Sequence, residues 1–88
     1  MFVAIYHDIH DRDLFKVKVN QMTPPPDRLR RHQFLTATDL SCAVCLWEAP
    51  TVDELRTYLD PQLEPASTQT YLQVNEERAV GLPVSQLA

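Results

Sequence analysis

The chain has 88 residues, 44% hydrophobic and 23% charged, with a formal net charge of −4 from 12 acids and 8 bases. This length holds a single compact domain, and the acidic balance excludes general binding to nucleic-acid phosphates, which needs a basic surface. The lack of any run of about 18 apolar residues excludes a membrane span, two cysteines exclude a disulfide scaffold, and one glycine excludes a glycine-rich phosphate loop.

The opening MFVAIYHDIH has no basic start, so it reads as mature sequence rather than a signal peptide, and the chain as cytoplasmic. Residues Phe2 to His7 are rich in β-branched and aromatic types and predict a strand. Asp8 or Asp11 can cap a helix from about Arg12 to Met22, with Phe15, Val19 and Met22 as its apolar stripe and Leu14 widening it. Pro24, Pro25 and Pro26 end that helix and force an extended connection. A second strand is expected over Leu29 to Thr38 and a third over Cys42 to Ala49, joined as a hairpin by Thr38, Asp39 and Ser41. Thr51 and Glu54 have the spacing of a capping box, which starts a second helix with Val52, Leu55 and Leu59 inward. Pro61 and Pro65 close it. A fourth strand covers Thr68 to Val74.

The order β-α-β-β-α-β predicts an α+β, ferredoxin-like domain over residues 1–75, with 76–88 as a C-terminal tail. Right-handed crossovers put the first and third strands in the centre of a four-stranded antiparallel sheet, with both helices on one face. Tyr6, Phe34, Cys45, Trp47 and Tyr71 exceed what the helix side is expected to hold. Some should lie on a bare apolar face that a second copy covers, giving a dimeric α+β barrel.

Cys42 and Cys45 spell C-x-x-C, but residues three apart on a strand face opposite ways, so the two sulfurs share neither a metal nor a disulfide. Arg28, Arg30, Arg31 and His32 form the one basic cluster. It is a solvated strand edge or an anion site. His7 and His10 follow one another at the end of the first strand. The first and third strands are expected to run parallel, so that their C-terminal ends coincide and gather His7, Asp8, His10, Trp47 and Glu48 at one edge of the sheet. His7, His10 and Glu48 are then candidate metal ligands, with nickel among the metals that imidazole suits. Alternatively, His7, Trp47, Glu48 and Tyr71 line a pocket for a planar organic ligand, with Trp47 and Tyr71 stacking and His7 and Glu48 orienting. The blander alternatives are solvated loop residues and aromatic dimer core. A small enzyme of the monooxygenase or isomerase type is the third possibility.

The segment VCLWEAPT (Val44–Thr51) and the helix after it resemble a family of small bacterial domains that includes a nickel-responsive, nickel-binding protein. The matching positions are Cys45, Leu46, Ala49, Pro50 and Thr51, with Tyr71 and Val74 in the last strand and His7 at the end of the first. The resemblance implies a ferredoxin-like fold and an α+β-barrel homodimer. Of the metal-related histidines it carries over only His7, because Asp8 stands where a second histidine is expected. Similar small dimers accompany pathways to secondary metabolites such as prodigiosin-type pyrrole pigments. The resemblance therefore also implies an accessory role in biosynthesis.

Overall fold

A computed structural model describes residues 1–87. Six elements follow one another: β1 (Phe2–Ile9), α1 (Arg12–Asn20), β2 (Arg30–Thr36), β3 (Cys42–Glu48), α2 (Val52–Leu63) and β4 (Ser67–Gln73). The strands form one antiparallel sheet in the order β2-β3-β1-β4, which is the expected ferredoxin-like arrangement.

Local chemistry explains the helix boundaries. The Asp11 side chain accepts from the Leu14 N–H at 3.0 Å and starts α1. Thr51 Oγ1 accepts from the Glu54 N–H at 3.1 Å and starts α2. The Glu54 carboxylate turns instead to Arg28, at 2.9 Å, so the second half of the capping box is given up to an ion pair. Helix α2 does not stop at Pro61 as expected. It runs on to Leu63, because Leu55, Leu59 and Leu63 recur at four-residue spacing and all three are buried. A proline in the last turn costs less than losing that third leucine from the core.

Alternation along the strands divides the sheet into two faces. Val3, Ile5, His7 and Ile9 of β1 face the helices with Ala43, Cys45 and Trp47 of β3, and all seven are buried. Phe15 of α1 and Leu59 of α2 close over them. Phe34 and Tyr71 also lie on this side, opposite Cys45 and Ile5 respectively. Of the five residues thought too many for the helix side, only Tyr6 is excluded from it. The helices are long enough to cover the other four.

The open face is nevertheless apolar. Tyr6, Leu35, Val44 and Leu72 lie on it and are 45–64% exposed. One end of this face is covered by the chain itself. Beyond β4 no helix or strand forms through Leu87, but the segment returns to the sheet, where Ser85 and Gln86 bond Glu48. Ala88, the end of the expected tail, lies outside the described residues.

Candidate ligand site

Antiparallel pairing of β1 and β3 separates the residues expected to converge. His7 stands opposite Ala43, whereas Glu48 stands opposite Phe2 at the far end of β1. Five strand positions amount to about 17 Å, and the two side chains occupy opposite faces. His10 leaves the cluster too: its Nε2 bonds Thr68 Oγ1 at 2.6 Å in solvent. His7, His10 and Glu48 are therefore not a metal-ligand set. Among the described residues no group of three or more His, Cys, Asp or Glu side chains is placed to hold a metal ion. The premise that the first and third strands end together was the error. Consecutive hairpin and crossover connections make them neighbours running in opposite directions.

Glu48 instead belongs to a clasp on the open face. Its carboxylate accepts from His32 Nε2 at 2.9 Å, from the Gln86 N–H at 2.8 Å, and from the Ser85 hydroxyl. Burial works to raise the Glu48 carboxyl, but the bonds from Ser85, Gln86 and His32 outweigh it and hold it down at about 2. A β-bulge between Arg31 and Gln33 makes this possible. The extra residue, His32, turns toward Glu48, while Arg31 and Phe34 both stay in register with the helix-facing Trp47 and Cys45.

His7 and Trp47 share the helix-facing side of the sheet, with Cys45 between them in the register. They line a cavity of about 20 Å³ with Arg31, Phe34, Phe15 and Leu59, room for about one water molecule. Tyr71 is not part of it. Its hydroxyl donates to Asp60 Oδ1 at 2.6 Å, and the Arg56 guanidinium lies 4.9 Å over its ring. Burial and then the Asp60 carboxylate push the Tyr71 hydroxyl pKa far up, so it stays a donor. Trp47 and Tyr71, expected to stack on one planar ligand, thus do not line the same cavity.

A relay of hydrogen bonds fixes the proton positions along the inner wall. Gln69 Nε2 donates to Asp60 Oδ1 at 3.2 Å, because a carboxylate only accepts. Gln69 Oε1 therefore faces Ser67 Oγ and His7 Nδ1, the latter at 3.3 Å. That places the imidazole proton on Nδ1 and leaves Nε2 as an acceptor, 2.9 Å from Cys45 Sγ. The thiol donates. Burial lowers the His7 pKa, against the Gln69 bond and the Asp60 charge. Burial also pushes the Cys45 thiol up to about 11, against the pull of the Trp47 indole N–H and Arg31. The pair is neutral thiol and neutral imidazole, not thiolate and imidazolium.

One polar group on this wall is left over. Trp47 is 2% exposed, and among the described residues its Nε1 has no hydrogen-bond partner. It lies near enough to Cys45 to favour a charged sulfur without making a bond of normal geometry. A wider cleft of about 390 Å³ lies at the α1–β2 connection. Met22, Pro24, Pro25, Tyr58, Arg30 and Arg31 stand around it. Trp47, Arg31, Val19 and Met22 border both spaces. The Trp47 and Tyr58 rings meet edge to face at 5.9 Å, and the Tyr58 hydroxyl donates to the Thr23 carbonyl, which ties the connection to α2.

His7 and Trp47 line one small cavity from positions four residues apart in the register, not from one edge of the sheet as expected, and sequence reasoning did not single out Cys45, Gln69 and Asp60 as the polar groups around it. The alternation Ala43, Cys45, Trp47 was the available signal. Nothing in the sequence marks the bulge that keeps Arg31 at the cleft. Comparison of the chain with protein-family models, with curated proteins and with solved structures gives no match.

Proposed function

We propose that the protein is a homodimeric small-ligand-binding protein, with the ligand held between the helices and the sheet, at the cleft over Trp47. The observation that carries the ligand site is the buried Trp47 indole N–H without a partner. Leaving such a donor unpaired costs about 1–3 kcal/mol, so a native protein has reason to keep one only where something else satisfies it. The cleft volume lies within the range of small-molecule sites. An accessory role in secondary-metabolite biosynthesis belongs to the same reading and rests on the resemblance of the VCLWEAPT segment.

The homodimer is supported by the open sheet face. An antiparallel sheet with one solvated face carries polar residues there; this one carries Tyr6, Leu35, Val44 and Leu72. A second copy is the occupant that the resemblance implies. Light scattering should return twice the chain mass, and Leu72→Glu should halve it. A monomeric parent would remove the dimer from the proposal.

The ligand site is tested with N-phenyl-1-naphthylamine, a neutral planar probe. Trp47 is the only tryptophan, so energy transfer from it reports probe bound to the chain, and a blocked cleft tells where it is bound. Saturable transfer at one probe per chain is expected, lost in Met22→Phe, where the ring fills the cleft without adding a second donor. Transfer that never saturates, or that survives the blocked cleft, would overturn the site.

A further inference from the structure

We infer that the ligand is an anion: a planar molecule carrying a carboxylate, whose charge lies against Arg31 and whose acceptor oxygen takes the Trp47 indole N–H. This rests on the ligand site proposed above and adds the chemical class. Three observations carry it. The chain has 12 acids against 8 bases, yet the cleft and the inner cavity together are lined by Arg30 and Arg31 and by no Asp or Glu. In a protein with surplus acid, such a site is a selected exception. Next, the arginine two positions before Arg30 is already paired, Arg28 with Glu54 at 2.9 Å, whereas the Arg31 guanidinium lies 5.6 Å over the Phe34 ring. Among the described residues, Arg30 and Arg31 have no carboxylate partner. A guanidinium matches a carboxylate in geometry and is weakly hydrated, so it takes such a partner readily. Finally, Trp47 borders both spaces, and its buried N–H has no hydrogen-bond partner among the described residues. The Trp47 N–H can only donate. The relay from Asp60 through Gln69 and His7 directs the Cys45 proton away into His7 Nε2, so no competing proton is presented beside it.

The rest of the site is apolar or planar. Val19, Met22, Pro24, Pro25 and the Tyr58 and Trp47 rings suit a flat hydrocarbon body. A groove of similar size, about 420 Å³, lies beside α2. It offers no such pattern, because its arginine, Arg28, is spent on Glu54.

The test uses the single indole cross-peak of Trp47 in a proton–nitrogen spectrum of the full-length protein. It is titrated with 2-naphthoate and, separately, with the isosteric neutral 2-naphthamide. The acid should shift the cross-peak and bind at least tenfold tighter than the amide. Arg31→Gln should abolish that preference while leaving amide binding in place, and Arg31→Lys should restore part of it. Equal binding of acid and amide would overturn the anion assignment and leave the ligand site standing. No shift with either probe would overturn both. Retained preference in Arg31→Gln and in the Arg30→Gln, Arg31→Gln double variant would overturn the assignment to this cleft.

Discussion

Two histidine side chains are enclosed on opposite faces of one sheet, and the protein keeps them in different ways. His7, on the helix side, has a thiol at Nε2 and an amide oxygen at Nδ1. His32, on the open side, has a carboxylate that also takes Ser85 and Gln86. The first environment removes charge. Burial lowers the pKa of His7 and raises that of Cys45, and the pair stays neutral. The second concentrates charge, because three donors converge on Glu48 and hold it ionised at ordinary pH. The contrast teaches that burial alone does not decide ionisation. What decides it is whether the neighbours can donate to the charged form.

The largest effect should come from the clasp. Glu48→Leu strands His32, the Ser85 hydroxyl and the Gln86 N–H together, and should cost about 3 kcal/mol in urea unfolding. Adding His32→Leu should recover part of that loss, because the stranded imidazole is gone. A single variant that unfolds like the parent would show that the clasp adds nothing.

The pH dependence separates the two faces. His7 has a depressed pKa in the folded chain, so the unfolded chain binds the extra proton. Stability is then full above about 6.5, the ordinary histidine value, and falls as the pH drops below it. Glu48 is depressed from 4.5 to about 2, so its contribution is full above 4.5 and fades as the pH falls toward 2. Unfolding free energies between pH 8 and 2 should therefore show two separate declines. His7→Gln should flatten the upper one and Glu48→Gln the lower one. A single decline unaffected by His7→Gln would break the comparison.

The smallest effect concerns the cysteines. Cys42 is partly exposed on the open face, and Cys45 is buried on the other. Under native conditions a disulfide reagent should label Cys42 only, with Cys45 reacting after denaturation. Cys42→Ser should change stability by less than about 0.5 kcal/mol. Rapid labelling of both thiols in the folded protein would contradict the neutral, enclosed His7–Cys45 pair.

Much of the fold was legible because its signals are local. Thr51 caps the helix it was expected to cap and Asp11, one of two candidates, caps the other, and the β-branched and aromatic run FVAIYH marks a strand wherever it goes. The inert C-x-x-C was legible for the same reason, since strand geometry alone sends the two sulfurs apart. Pro61 was misread because local proline chemistry argued for a stop, while the burial of Leu63 against the sheet argued for another turn, and packing won.

The site was legible only in part. His7 and Trp47 are set by their own strands, but Glu48 was grouped with His7 and His10 through a strand direction opposite to the one that the order of connections gives, and Tyr71 with Trp47 through a register that the sequence does not carry. Nor does the sequence show the bulge at His32, which sends one side chain to Glu48 and keeps Arg31 at the cleft. By itself, then, the sequence determined the order of elements, their caps and the two faces of each strand, because these depend on neighbours within a few residues. Only the tertiary structure decided which groups meet. His7 reaches Cys45 across 38 positions and Gln69 across 62, and such meetings follow from register and packing, which no local pattern carries.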